Sequence, residues 1–225
     1  MKTDNFDTIS SFLDFSEPEK FYLLNIIQRK KDIPSLDKST RLIKTYGIDS
    51  IDALYRNKQE ITGLCEYFGA RAGIYINRRS YKITAGHMLK SLTDSIISGN
   101  YYGIKHLFTS EAAAHGCGDK NWIIDIDLIY NDGERANLSD FYEPYKLIDG
   151  LSISIYDYMK FINPCNENKI LGTIPTTHGW HIITRPFDTR ELDGIKERIL
   201  KFFSPFDFHG DMELKKDAML NLYIP

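Results

Sequence analysis

Residues 122–127 have the sequence WIIDID, an apolar run that carries two carboxylates at alternate positions. Successive side chains of a β-strand point to opposite faces, so a strand here places Asp125 and Asp127 side by side on one face. Neighbouring carboxylates repel each other unless a cation lies between them, and hard oxygen ligands of this kind suit Mg²⁺ or Mn²⁺. The spacing therefore predicts a divalent-metal site at Asp125 and Asp127; the alternative is an edge-strand pair in a surface turn.

A second informative stretch is GTIPTTHGWHIIT, at residues 172–184. Its apolar segments predict two short strands joined by a small polar turn. Gly179 is the flexible point of that turn, and His181 lies just inside the second strand. The stretch therefore predicts a β-hairpin with a histidine near its turn.

Together and in this order, the hydrophobic-Asp-hydrophobic-Asp strand and the Thr-x-Gly-x-His hairpin resemble the first two motifs of the archaeo-eukaryotic primase superfamily, the primase-polymerases. The resemblance covers about residues 70–225. It implies that Asp125 and Asp127 bind catalytic Mg²⁺ or Mn²⁺ and that His181 contacts nucleotide phosphates. Thr177 and Gly179 would let the hairpin approach the nucleotide closely, because their side chains are small or absent.

The third motif of that superfamily is a further acidic residue on a later strand, which completes the metal site. The candidates here, in order of preference, are Asp211, Glu213 and Asp217, with Asp207 in a preceding turn. A two-metal centre needs such a carboxylate to bring the second ion to the nucleophile. The resemblance thus implies catalytic roles for Asp211 and Glu213 beside the two strand aspartates, with Asp211 as a metal ligand.

Basic residues supply three further candidates for nucleotide binding. Arg78 and Arg79 follow an alternating stretch at residues 70–76 that predicts a strand. Adjacent guanidiniums at a strand end can clamp phosphate, because arginine offers paired donors to its oxygens; the alternative is a solvated turn that caps the strand. Lys215, in a short basic stretch, is the third candidate.

The predicted fold class is α+β. Residues 1–69 are expected to form a helical N-terminal region, with helices at 16–32 and 39–46 and one or two more at 50–68. The resemblance implies that residues 70–225 form a mainly antiparallel, RRM-like sheet core of the primase-polymerase type, flanked by helices. Those helices are expected at 84–98, 103–114 and 188–203, and a further helix is preferred at 150–163. The alternative for this last segment is two strands broken at residues 156–157. At 225 residues and 42% hydrophobic content, the chain can bury a full core and is expected to be one compact unit.

Composition limits the other classes of function. No apolar run approaches the roughly 20 residues that a membrane span needs, and residues 1–5 lack the apolar core of a signal peptide, so we expect no membrane partner and a cytoplasmic location. The cysteines, Cys65, Cys117 and Cys165, lack paired spacing, which indicates neither a disulfide framework nor a zinc knuckle. The net charge of −3 argues against a strong standing grip on DNA, although metal ions add positive charge locally.

Three histidines lie in or near the predicted helices, and we interpret all of them as structural. They are His87, His106 and His115, which we interpret as lacking the i, i+4 partner that a helical metal site would require.

The expected function is a nucleotidyltransferase of the primase type that joins nucleoside triphosphates to a DNA or RNA strand. Two alternatives stay open. One is a metal-dependent nuclease or phosphoesterase, in which His181 acts as general base or ligand. The other is a catalytically inactive module that binds nucleotide or nucleic acid.

Overall fold

The computed structural model describes residues 2–115, 118–130, 145–146, 152–153, 159–176, 179–194, 196–197 and 208–225. Its elements are, in chain order, β1 (Thr3–Asp4), α1 (Phe6–Ser10), β2 (Lys20–Arg29), β3 (Thr40–Ile48), α2 (Ile51–Phe68), β4 (Arg71–Tyr75), β5 (Arg79–Ser80), α3 (Tyr81–Ser98), a 3₁₀ helix (Ile104–His106), α4 (Leu107–His115), β6 (Trp122–Tyr130), β7 (Tyr145–Lys146), β8 (Ser152–Ile153), β9 (Ile170–Pro175), β10 (Gly179–Thr184), a 3₁₀ helix (Thr189–Glu191), β11 (Phe208–Lys216) and β12 (Met219–Ile224). The fold is α+β, and the strand pairings are antiparallel.

The chain divides into two units, residues 1–120 with 217–225 and residues 121–216. The first is built on a six-stranded sheet of order β1-β12-β4-β2-β3, with β5 paired to β2. The predicted boundary between residues 69 and 70 does not coincide with this division, because β2 and β4 lie on either side of it and pair in one sheet.

The helices predicted at residues 16–32 and 39–46 are wrong, because β2 and β3 occupy these segments. Residues 21–24 of β2 are all buried, as expected for a strand that lies between two others and is covered on both faces. A continuous apolar run places hydrophobic residues at helical spacing by default, so its periodicity does not distinguish helix from strand. The supposed helix cap, Ser16, instead donates its backbone N–H to Asp14 Oδ1 at 2.9 Å in a turn.

Three of the predicted helices are confirmed, at residues 50–68, 84–98 and 103–114, the last beginning with a 3₁₀ turn. The Ser50 hydroxyl accepts a hydrogen bond from the backbone of Ala53 at 3.2 Å and so caps the N-terminus of α2. Gly69 and Gly99 end α2 and α3 with φ values of 57° and 69°. These left-handed conformations suit glycine, so the start and stop signals in the sequence are reliable here.

The second unit contains a four-stranded sheet of order β11-β6-β10-β9, and β6 is therefore an internal strand. The hairpin predicted at residues 172–184 is confirmed as β9 and β10, closed by a hydrogen bond of 2.9 Å from the Thr176 N–H to the Gly179 carbonyl. The helix predicted at 150–163 is wrong at residues 152–153, which form β8, whereas residues 159–161 are helical. Of the helix predicted at 188–203, residues 192–194 and 196–197 are helical and follow a 3₁₀ turn.

In the part of the chain that the structure describes, no helix combines the length and the apolar character needed to cross a membrane. Cys65 is a buried free thiol and Cys165 an exposed one, whereas Cys117 lies outside the described residues.

Candidate active site

Strand register brings the predicted acidic residues and His181 onto one face of the four-stranded sheet. Asp125 on β6 lies directly opposite His181 on β10 and Glu213 on β11. Asp127 lies opposite Gly179 and Asp211 in the same two strands. Directly opposed residues of antiparallel strands share a face. We call this the carboxylate face, and it includes Asp125, Asp127, His181, Asp211, Glu213 and Lys215.

Asp125 is the best-defined carboxylate of this face. Its Oδ1 lies 3.1 Å from His181 Nε2, and its Oδ2 accepts a hydrogen bond from the Lys215 ammonium. Burial by itself would raise the pKa of Asp125, but the hydrogen bonds from His181 and Lys215 outweigh that effect and lower the pKa to about 2. Asp125 is therefore ionised and held between two basic groups.

His181 is buried, and its two ring nitrogens differ in environment. Nε2 faces Asp125, whereas Nδ1 is buried and has no hydrogen-bond partner among the described residues. A buried polar atom of this kind is costly unless water or a ligand pairs with it. A phosphate contact from Nε2 would require this nitrogen to be shared with Asp125.

The two preferred third-motif residues lie at the solvent side of β11. The side chains of Asp211 and Glu213 are 72% and 67% exposed. Asp211 Oδ1 pairs with Lys196 Nζ at 2.5 Å, and this hydrogen bond lowers the pKa of Asp211. Lys215 Nζ lies 3.3 Å from Glu213 Oε2, so one lysine links Glu213 to Asp125. Both acids are thus neighbours of the strand aspartates.

The other two acidic candidates do not extend this cluster. Asp217 forms an ion pair with Arg79 in the first unit, and Asp207 lies outside the described residues. Asp211 and Glu213 are alternate residues of β11, so both lie on the carboxylate face with Asp125 and Asp127.

Gly179 has a structural reason to be glycine that differs from the predicted one. A Cβ at this position would lie 1.8 Å from the carbonyl oxygen of Ile126. The absent side chain therefore allows β10 to approach β6 closely and keeps His181 opposite Asp125. Thr177, the other small residue assigned to the hairpin, lies outside the described residues.

Arg78 and Arg79 belong to the first unit, where acidic partners bind both guanidiniums. Arg78 forms ion pairs with Asp14 at 2.9 Å, Glu17 at 2.8 Å and Asp119 at 2.6 Å. The fully buried Arg79 side chain forms two hydrogen bonds to Asp217, at 2.8 and 2.9 Å. Arg79 is therefore part of the core of this unit, and neither an exposed phosphate clamp nor a solvated turn describes it.

Carboxylate oxygens are the donors that Mg²⁺ and Mn²⁺ prefer, and Asp125, Asp127, Asp211 and Glu213 are the residues of this face that could supply them. In the described part of the chain, one group of three or more His, Cys, Asp or Glu side chains has its ligand atoms within 4.8 Å of one another, and that group lies in the first unit. Among the described residues of the carboxylate face, no three of these side chains have ligand atoms within that distance of one another.

Two features of the structure were missed by sequence reasoning. Lys215 contacts Asp125 rather than standing free, which follows from register on β11. His87, Glu111 and His115 come together although each histidine was interpreted as structural. The signal for the second feature was present in the sequence, because Glu111 and His115 are separated by four residues and a carboxylate can replace a histidine as a ligand.

Comparison of the chain with protein-family models, with curated proteins and with solved structures found no match.

Proposed function

We propose that this protein is a metal-dependent nucleotidyltransferase of the primase-polymerase kind, which acts on nucleoside triphosphate and nucleic acid at the carboxylate face. The observation that carries the proposal is the register of β10, β6 and β11. It supports a shared site because segments distant in the sequence contribute Asp125, Asp127, His181 and the acids of β11 to one sheet face.

Nucleotidyl transfer depends mainly on positioning and on neutralising charge, and needs little covalent chemistry from the protein. Asp125 and Asp127 would hold the Mg²⁺ or Mn²⁺, with Asp211 as a further ligand opposite Asp127. A bound ion supplies positive charge to the triphosphate. The protein's own contribution is to hold Asp125 ionised beside the other carboxylates, and the low pKa of Asp125 supports this role.

Lys215 would act as an internal counter-ion that is released on binding. Its ammonium neutralises Asp125 when no ion is bound, and its side chain is 39% exposed on a flexible stem. When an ion takes over the charge of Asp125, the ammonium becomes available to a phosphate oxygen. Lys215 would thereby couple metal binding to nucleotide binding.

A second candidate is a catalytically inactive module that binds nucleotide. The observation that favours it is the double pairing of Asp125, since His181 and Lys215 already neutralise this carboxylate without a metal. In that case the basic groups and the neighbouring exposed acids would recognise nucleotide without turning it over.

The deciding experiment combines Mn²⁺ calorimetry with incorporation of labelled nucleotide on a primed strand. The test variant is Asp127→Asn, which keeps the size of the side chain and removes one negative charge. The matched control is Asp193→Asn, an exposed acid of the second unit at a helical position. We expect Mn²⁺-dependent incorporation in the wild type and the control, and a loss of at least about 100-fold in Asp127→Asn.

Each other outcome selects a different function. Nucleotide binding without incorporation supports the inactive module, and cleavage of the labelled strand supports a nuclease. Absence of Mn²⁺ binding, alone and with nucleotide, eliminates both metal-dependent enzymes.

A further inference from the structure

A second group of potential ligands lies on the α3–α4 helical hairpin of the first unit. His87 on α3 and Glu111 and His115 on α4 have ligand atoms that all lie within 4.8 Å of one another. The two imidazole rings stack with centroids 4.2 Å apart and an angle of 12° between their planes. Three side chains from two helices thus present nitrogen and oxygen donors at one place.

Helical spacing explains how each helix contributes to this cluster. Glu111 and His115 are four residues apart on α4, and His87 and Ser91 are four residues apart on α3, so each pair lies on one helix face. The Ser91 hydroxyl donates a hydrogen bond of 2.8 Å to Glu111 Oε1. This contact orients the carboxylate and leaves Oε2 on the side of His115.

The contacts inside the cluster do not satisfy the three groups by themselves. His115 Nε2 and Glu111 Oε2 are separated by 3.7 Å, which is longer than a hydrogen bond. Stacked imidazole rings also leave their nitrogens at the ring edges, where they are available to a ligand. The Glu111 side chain is only 14% exposed, so its carboxylate is largely desolvated beside two potential ligands.

We propose that His87, Glu111 and His115 bind a zinc-class transition-metal ion that joins α3 to α4. Two imidazole nitrogens and one carboxylate oxygen are a zinc ligand set, whereas Mg²⁺ prefers oxygen ligands alone. A tetrahedral ion needs donor atoms roughly 3.4 Å apart, given bonds of about 2.1 Å. The parallel rings do not aim their nitrogens at one point, so at least one ring must turn out of the stack to bind the ion. The His115 side chain is 49% exposed, which leaves room for this rotation.

A tetrahedral ion held by these three residues would have a fourth position for water or another ligand. Ser91 is a positioning residue in this site, because it holds the carboxylate and does not itself supply a donor to the ion. The site does not depend on the proposed function, since its ligands and preferred metal class differ from those of the carboxylate face.

The test uses the full chain and Co²⁺ as a spectroscopic substitute for Zn²⁺. We expect the visible absorption of one tetrahedral Co²⁺ per chain, whether or not the carboxylate face binds a further ion, and displacement of the tetrahedral Co²⁺ by Zn²⁺. His87→Ala and His115→Gln should each weaken Zn²⁺ binding at least about tenfold. His106→Ala is the matched control, since this exposed histidine lies in the connection between the two helices and outside the cluster.

Ser91→Ala should weaken Zn²⁺ binding by a smaller factor than removal of a ligand. A chain that carries both Asp125→Asn and Asp127→Asn should bind Zn²⁺ at this site as the wild type does, which separates the two sites. Equal affinity in the wild type, His87→Ala and His115→Gln would overturn the proposal, as would an equal loss in His106→Ala. Circular dichroism of each variant checks that the helices are retained.

Discussion

The ion pairs of Asp125 allow a quantitative prediction for the substitution Asp125→Asn. A fall in the pKa of this carboxyl from 3.8 to about 2 corresponds to roughly 2–2.5 kcal/mol of stability at neutral pH, because each tenfold change in acidity is worth about 1.4 kcal/mol. The amide of asparagine keeps an oxygen that can accept one of the two hydrogen bonds. We therefore expect Asp125→Asn to lower the free energy of unfolding by about 1–2 kcal/mol at pH 7.

The same pairing fixes the direction of the pH dependence. The folded-state pKa of Asp125 lies below its ordinary value, so its contribution is fully present above about pH 4 and is lost as the pH falls toward 2. Asp125→Asn has no group that titrates at this position. The stability difference between wild type and variant should accordingly shrink between pH 4 and pH 2.

Tryptophan fluorescence during urea unfolding is the suitable measurement, because both tryptophans of the chain lie in the sheet that carries the site. Trp122 begins β6 and Trp180 is on β10. Asp127→Asn is the matched control, since Asp127 is exposed and its substitution should leave stability in chelator unchanged or raised. Equal losses in the two variants, or a difference that stays constant down to pH 2.5, would refute the assignment of Asp125 as the buried, doubly paired carboxylate.

Two further predictions concern the neighbours of Asp125. Gly179→Ala should lower the free energy of unfolding by at least about 2 kcal/mol in the fluorescence assay, because the added methyl group would collide with the Ile126 carbonyl. The control is Gly194→Ala, which should have little effect because its methyl group would meet nothing within 4 Å. Equal effects of the two substitutions would show that β10 can shift freely. Lys215→Met should strengthen Mn²⁺ binding in calorimetry without nucleotide, because the Lys215 ammonium no longer competes with the ion for Asp125. Unchanged or weaker Mn²⁺ binding would contradict the role of Lys215 as a counter-ion.

The sequence predicts the elements whose signals are local and specific. Ser50 and Gly69 mark the two ends of α2, and the polar turn with Gly179 marks the hairpin of β9 and β10. Alternation along β6 also predicts that Asp125 and Asp127 share a face.

Elements that depend on tertiary context were not predictable in the same way. The apolar run of β2 has no period of its own, and its pairing with β3 and β4 is set by tertiary context and not by a local signal. The ion pair of Arg79 with Asp217 joins residues 138 positions apart, and nothing local distinguishes it from an exposed arginine. Pairing of β11 with β6 likewise decides that Lys215 meets Asp125.

The chain leaves the first unit after residue 120 and returns to it at residue 217, and this affects the order in which the protein folds during synthesis. Residues 121–216, the whole second unit, leave the ribosome before β12, which supplies the partner of β1 and one neighbour of β4. Until then the emerging sheet has an unpaired edge at β4, and the sites that Leu220 and Leu222 will fill are empty. We therefore expect the second unit to become protected from protease first on stalled ribosomes, with the first unit following once residues 217–225 have emerged.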